Sequence, residues 1–325
     1  MAGLKAIKSK IKSVEKTQKV TKAMEAVSAA KMRKAQQRAL KGRAYARAAA
    51  AILARVSGSR ELANHPLTRG AEMLLPGTSP RRPAETGNNI SAPRKSLYIV
   101  ITSDKGLAGA LNSAVLRASA ADIAARGLST SQVEVVAVGR KANDFFAIRG
   151  YEVRAFHPNT DLVSSELISE LVHDAAARYA AGEVDEVKIA YQNFVSTFEQ
   201  RPTLRTVFPL SLDELRLVVE DILPARGVYS KPAQQEDTPS VYSVEQSEGD
   251  VLDAILPRLA SIFVYHALLE TQASEHSARM VAMKSASDKA GEMRGSLTLK
   301  FNKARQAAIT REVSEITGGM EAMTA

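Results

Sequence analysis

Apolar residues near the start of the chain recur at Leu4, Ile7, Ile11 and Val14, then at Val20, Met24 and Val27. Spacings of three and four place them on one face of a helix. From Ala29 the pattern thins into Ala, with Ala44, Ala46 and Ala48 to Ala51, all strong helix formers. Between Gly3 and Ser57 there is no Pro and a single Gly, Gly42. The segment predicts one helix of roughly 50 residues, about 80 Å long.

A second pattern fills the last part of the chain. Stepping alternately by four and three from Ile255 meets Leu259, Ile262, His266, Leu269, Ala273, His276, Met280 and Met283. The same register continues through Ser287, Ala290, Arg294, Leu297, Phe301, Ala304 and Ala308. A seam of period 3.5 predicts a left-handed coiled coil. From Arg258 to Thr317 such a helix spans about 90 Å. The two terminal helices can wind antiparallel if the middle of the chain returns. Where the seam turns polar, at His266, His276 and Arg294, it is expected to meet water or a partner, because an unpaired buried charge is costly.

The middle reads differently. Leu97 to Thr102 and Val133 to Val138 are short β-branched runs, hence strands; Val187 to Tyr191 is a third and Leu204 to Phe208 a fourth. Helical stretches lie at Ala110 to Arg126, Arg140 to Ile148 and Leu162 to Ala181. Strand, helix, strand at this spacing implies a small parallel sheet covered by helices. The predicted fold class is therefore α/β: a long antiparallel coiled coil of the N- and C-terminal helices plus a small parallel-sheet, Rossmann-like domain. The boundaries are 1–57, 58–250 and 251–325. Two irregular surface excursions, 58–94 and 226–249, fall inside the middle block; the first holds five Pro and four Gly.

Composition narrows the chemistry. Without Cys there is no disulfide, thiolate metal site or Cys nucleophile. No run approaches 18 consecutive apolar residues, so no spanning helix is expected, and no apolar signal core follows the basic N-terminus. Residues 1–47 carry 14 Lys and Arg against two acids, Glu15 and Glu25, while the rest carries 30 against 33. The basicity belongs to the first helix, whose lysines share it with an apolar stripe and with no aromatic before Tyr45. Stacking on nucleic-acid bases is therefore absent, and a solvated face or an acidic partner fits better.

The stretch Thr102-Ser-Asp-Lys-Gly-Leu-Ala-Gly-Ala-Leu-Asn112 follows a strand and opens a helix, a place where phosphate can sit. It matches neither G-x-G-x-x-G nor G-x-x-x-x-G-K-[ST], so a tight turn capped by Asp104 or Ser103 is expected. The five His, at 65, 157, 173, 266 and 276, have no metal-ligand spacing. No G-x-S-x-G elbow occurs. Gly291 and Gly295 inside the last helix suggest close helix contact, with local torsional give as the alternative.

Longer motifs resemble one family. Ile11-Lys-Ser-Val-Glu-Lys-Thr-Gln-Lys-Val-Thr-Lys-Ala-Met24 and Ala30-Lys-Met-Arg-Lys-Ala35 are similar to the first helix of F-type ATP synthase gamma subunits. The Thr102 to Asn112 stretch resembles that family's turn. Ser274-Glu-His-Ser-Ala-Arg-Met-Val-Ala-Met-Lys284 and Asn302-Lys-Ala-Arg-Gln-Ala-Ala-Ile-Thr-Arg-Glu-Val-Ser-Glu-Ile-Thr-Gly-Gly319 resemble its last helix. The resemblance implies a central rotor shaft with no catalytic residue, cofactor or metal of its own. Its implied partners are three alpha and three beta subunits, the epsilon subunit and the membrane c-ring, with no nucleic acid and no direct membrane insertion. Proton flow through the c-ring would turn the shaft and drive each beta subunit through different nucleotide affinities. Arg305, Gln306 and Thr310 match the positions that touch the beta-subunit catch loops, and Met24, Arg279 and Glu315 match positions tied to coupling. The basic first helix would face an acidic beta-subunit loop.

Two departures stand out. Both excursions are longer than the family's usual connections, and the Cys pair by which plant chloroplast members are thiol-controlled is absent. The start, Met-Ala-Gly-Leu-Lys, shows no transit peptide and looks bacterial, which implies a peripheral place on the cytoplasmic face of the inner membrane. Two other readings are a stand-alone nucleic-acid-binding coiled coil and an enzyme built on the sheet. The first predicts steeply salt-dependent DNA or RNA binding without protein partners, the second ligand binding by the middle block. A lone shaft would expose its partner-facing apolar surface, so the isolated chain is expected to be unstable. A monodisperse, protease-resistant isolated chain with a cooperative melt would contradict this.

Overall fold

The computed structural model describes residues 2–56, 62, 65–68, 95–160, 165–210 and 248–324. The chain divides into two compact units, Met1–Ala30 with Ser277–Ala325, and Lys31–His276.

The larger unit is built on a five-stranded sheet. Its strands are β1 (Ser96–Ile101), β2 (Val133–Val138), β3 (Glu152–His157), β4 (Glu186–Phe194) and β5 (Gln200–Phe208), in spatial order β3-β2-β1-β4-β5. Pairs β1·β2, β2·β3 and β1·β4 are parallel. The β4·β5 pair is antiparallel, so the sheet is mixed rather than wholly parallel. The reason lies in the five residues between the two strands, since a parallel return needs a crossover of a dozen or more. β5 begins four residues before the predicted strand and takes in Pro202, tolerable at a sheet edge. The sequence reading omitted β3, whose alternation of exposed and half-buried positions fits an edge strand.

Three helices cross between the parallel strands: α2 (Leu111–Ala125), α3 (Arg140–Ile148) and α4 (Ser165–Ala180). β1 and β2 are buried at every position, as expected of strands covered on both faces. On one face Tyr98, Val100, Val135 and Ala137 pack against Val115 and Ile123 of α2 and Phe146 of α3. On the other, Leu97, Ile99, Val136 and Ile189 meet Ile168 and Val172 of α4. Leu256, Phe263, Val264 and Leu268 join the second core from the last helix, α5 (Glu248–Thr324).

Each face also carries a charged network. Asp122 of α2 accepts hydrogen bonds from the Tyr98 hydroxyl at 2.7 Å and from Lys188 Nζ at 3.0 Å. Arg126 bridges Asp122 and Glu186. Burial opposes ionisation of Asp122, but Tyr98, Lys188 and Arg126 outweigh it and hold its carboxyl below the usual range. On the opposite face Arg178 donates to Glu134 at 2.8 Å and Glu183 at 2.9 Å.

Among the described residues, the first excursion returns to the core at Leu62 and Leu67. Leu62 and Leu67 are buried, and Leu210 N donates to Leu67 O at 2.8 Å. Leu67 N donates to His65 Nδ1, so His65 Nε2 carries the proton and donates to Asp253 of α5 at 2.9 Å. Residues 58–94 are therefore not all surface. Otherwise this excursion, and the second apart from the start of α5, lie outside the described residues.

The smaller unit pairs the part of α1 (Ala2–Val56) up to Ala30 with α5 from Ser277 onward. A Cβ on Gly291 would stand 2.9 Å from the Gln18 amide, and the Arg294 charge acts on Glu15. Numbering falls along α1 as it rises along α5, so the helices are antiparallel. Leu4, Ile7, Ile11, Val14, Gln18, Thr21, Glu25 and Ser28 are buried or half-buried, a strict alternation of three and four. Val20 and Val27, expected on this seam, are instead more than half exposed. A 3.5-residue period carries the seam through Thr21 and Ser28, whatever their polarity, and leaves each Val one position off it. Thr21 Oγ1 donates to Thr17 O at 3.0 Å, so its hydroxyl needs no partner across the seam.

The α5 seam holds as predicted at Met283, Ser287 and Ala290, and at half-buried Leu297, Phe301, Ala304 and Ala308. His266 and His276 are packed imidazoles. Both are buried in the larger unit, and His266 Nδ1 lies 3.4 Å from Glu270 Oε1 rather than facing water. Helix α5 also runs through Pro257. One window of it is apolar enough to cross a membrane by length and composition, a test the uninterrupted-run criterion missed, but 56% of that window is buried in protein.

Asp122→Asn is expected to weaken the sheet by about 2 kcal/mol at neutral pH, because it strips the counter-charge from buried Lys188. Hydrogen exchange of β1 and β4 amides measures the loss. The depressed Asp122 carboxyl stabilises the fold above its unfolded pKa, and that contribution fades as pH falls through the folded value. The difference between wild type and variant should therefore shrink below about pH 4.

Candidate functional site

In open α/β sheets ligands bind beyond the carboxyl ends of the strands, where the strand order reverses. Here that point lies between β1 and β4. Because β1 and β2 are parallel neighbours, the turns that follow them stand side by side. The expected capping of the helix after Thr102–Asn112 is accordingly displaced. Helix α2 has no side-chain cap. Asp104 Oδ1 accepts from Arg140 N at 2.8 Å and Thr102 Oγ1 from Ala142 N at 2.9 Å, both at the start of α3. Ser103 O takes Lys141 N at 3.4 Å. The first three N–H groups of α3, the donors that would hold a phosphate, are thus satisfied by the neighbouring turn.

That turn is held closed. Asn112 Oδ1 accepts from Ser103 N at 3.0 Å, and its Nδ2 donates to Ser103 Oγ at 2.7 Å. Gly139 has φ 104°, and a Cβ there would stand 2.2 Å from Thr102 O. Above the turn the crevice is filled by α5. Gln272 Nε2 donates to Asn159 Oδ1 at 3.0 Å, and Gln192 N to Thr271 Oγ1 at 3.2 Å. Among the described residues no group of three His, Cys, Asp or Glu is placed to hold a metal.

The other expected site residues lie along the helices. Arg305, Gln306, Thr310 and Glu315 are exposed on α5, and Thr310 Oγ1 donates only to its own helix, at Gln306 O. Met24 of α1 is half-buried. Arg279 is buried to 8% exposure. Sequence reasoning missed an apolar stripe beside these residues. Ile309, Val313, Ile316 and Met320, spaced four, three and four, share one face and are each more than half exposed. Every described residue from Ile309 to Met320 is exposed. On the register set by Gln18 and Gly291, Ala2 at the start of α1 stands opposite Ala307, next to Ala308, the last half-buried seam position of α5.

Over residues 3–323 the chain matches the family described as ATP synthase. It is 36% identical to the ATP synthase gamma chain of Heliobacterium modesticaldum, with 99% of this chain and 100% of that one covered. The gamma chains of Pelotomaculum thermopropionicum, at 36%, and Staphylococcus saprophyticus, at 35%, match with the same coverage. The chain belongs to the ATP synthase gamma-chain family. The fold of this gamma-family chain is also similar to solved structures. One is a chain of Euglena gracilis mitochondrial ATP synthase in a structure of its OSCP, F1 and c-ring, with TM-score 0.62, 18% identity and 99% and 95% coverage. Another is a chain of the Tetrahymena thermophila central stalk and c-ring, with TM-score 0.52, 22% identity and 82% and 99% coverage.

Gly139→Ala should destabilise this gamma-family chain by about 2–3 kcal/mol, since neither the φ nor the Thr102 carbonyl leaves room for a Cβ. Thermal melting of the assembled complex checks it.

Proposed function

We propose that this chain is the central rotor shaft of a proton-translocating F-type ATP synthase. The observation that carries the reading is the bare end of α5. Its stripe of Ile309, Val313, Ile316 and Met320 is more than half exposed among the described residues. Exposed apolar stripes of this kind mark protein contacts. The full-length likeness to gamma chains supplies the identity of the contact, a ring of three alpha and three beta subunits around the helix pair. The sheet domain would stand on the epsilon subunit and the c-ring.

Turning the shaft then presents a different face to each beta subunit in succession. Each face stabilises one nucleotide affinity over another, which is a coupling free energy between the membrane motor and the catalytic sites. The shaft itself is non-catalytic. The closed turn at Thr102–Asn112 and the filled crevice above it support that, because they leave no cradle for a phosphate. Arg305, Gln306 and Thr310 are assigned to the beta catch loops. Met24, Arg279 and Glu315 are assigned to coupling. The lysine-rich face of α1 fits an acidic beta-subunit loop, where charge complementarity gives fast contact without adhesion. The chain works as a peripheral protein on the cytoplasmic face of a bacterial inner membrane.

Purification through a tagged copy of the chain should recover alpha and beta subunits at three each, with ATPase activity. Deleting residues from Asn302 onward should lower that activity, and Arg305→Ala about tenfold. Recovery of the chain alone, or with nucleic acid and no ATPase, would refute the reading.

A further inference from the structure

We propose that Gln272, Asn159, Thr271 and Gln192 form a hydrogen-bonded joint that sets the rotational angle of α5 on the sheet domain, and so the angle at which torque enters the shaft. The inference rests on the rotor-shaft reading and adds to it the residues that carry the angular setting.

The first turns of α5 hold to the sheet through Leu252, Leu256, Phe263, Val264 and Leu268. Such contacts are strong but non-directional, and apolar surfaces tolerate small rotations and repacking. One turn further along, the interface changes character. Thr271, Gln272 and Ser274 are buried to 5% exposure or less, beside Asn159 at 8% and Gln192 at 1%. Here the bonds are directional, so they depend on the angle of the helix as apolar contacts do not.

Asn159 Nδ2 donates to Thr102 O at 2.7 Å, so its Oδ1 must face α5, where it accepts from Gln272 Nε2 at 3.0 Å. The same Gln272 nitrogen reaches Thr160 O at 2.9 Å. Thr271 has one hydroxyl proton, given to Ala267 O at 2.9 Å, so its oxygen is the acceptor for Gln192 N at 3.2 Å. Gln192 in turn donates from Nε2 to Leu111 O at 2.8 Å at the start of α2. Two chains of bonds therefore run from α5 into the sheet domain, one to the end of β1 and one to the end of β4. They enter on opposite sides of the point where the strand order reverses. Turning α5 by one residue, about 100°, removes every one of these partners at once. The ligand crevice of the fold has become the seat of the shaft.

These are positioning residues, so the test must separate angular setting from assembly. In inverted membrane vesicles carrying the whole enzyme, the double variant Thr271→Val with Gln272→Met keeps side-chain volume and removes the Thr271 and Gln272 bonds, leaving only the long Ser274 Oγ to Gln192 O contact at 3.5 Å. ATP hydrolysis with an uncoupler should stay within about twofold of wild type, while proton pumping per ATP hydrolysed falls about threefold or more, as a joint of a few hydrogen bonds allows. Thr271→Ser, which keeps the hydroxyl, should pump normally. If the double variant does not assemble, Thr271→Val alone is read in the same way. A pumping ratio equal to wild type, whether or not hydrolysis drops, overturns the joint. Failure of the unmodified chain to recover alpha and beta subunits would instead overturn the shaft reading beneath it.

Discussion

The burial of Leu252, Leu256, Leu259, Phe263, Val264 and Leu268 of α5 against the sheet is the contact on which the rest of the larger unit depends. Fully buried side chains of this size contribute roughly 1.5–3 kcal/mol each. No hydrogen bond in the unit approaches their sum. This burial makes α5 the second cover of one sheet face, beside α4, and brings Thr271 and Gln272 to the carboxyl ends of the strands. A helix held only by the Gln272 and Thr271 bonds would not stay, and one held only by the apolar patch would have no fixed angle.

The same division of labour appears along the helix pair. Its seam is apolar near the start of α1, with Leu4, Ile7, Ile11 and Val14, and small or polar further along, with Gln18, Thr21 and Ser28 opposite residues such as Ser287, Ala290 and Gly291. Small residues let the axes come close, as the Gln18 approach to Gly291 shows. The seam is only partly buried, so the pair draws little stability from it. A helix pair with exposed Val20, Val27 and Ile309 to Met320 suits a part that works inside a larger assembly.

The sheet domain keeps the topology of a nucleotide-type architecture while the groups at its strand ends are engaged by protein. Crossovers, strand order and the reversal between β1 and β4 are all present. What differs is where the donors at the carboxyl end point. Asp104, Ser103 and Thr102 satisfy the first N–H groups of α3, and α5 bonds Asn159 Oδ1 and Gln192 N. The fold is therefore available as a rigid mount for a helix.

Much of this was legible in one dimension. The α5 seam followed from period alone, because a 3.5-residue repeat has one geometric solution. The parallel core of the sheet followed from β-branched runs spaced by helices. The family likeness lay in long motifs at both ends. Three things needed tertiary structure. The α1 seam passes through Thr21 and Ser28 because the partner helix, and not hydrophobicity, decides which face is covered. Asp104 caps α3 rather than α2 because sheet order makes distant turns neighbours. His266 and His276 are buried because α5 lies inside the larger unit there, where neighbouring groups such as Glu270 replace water. Periodicity along a chain specifies which residues share a face. Only the packing of elements far apart in sequence decides what that face meets.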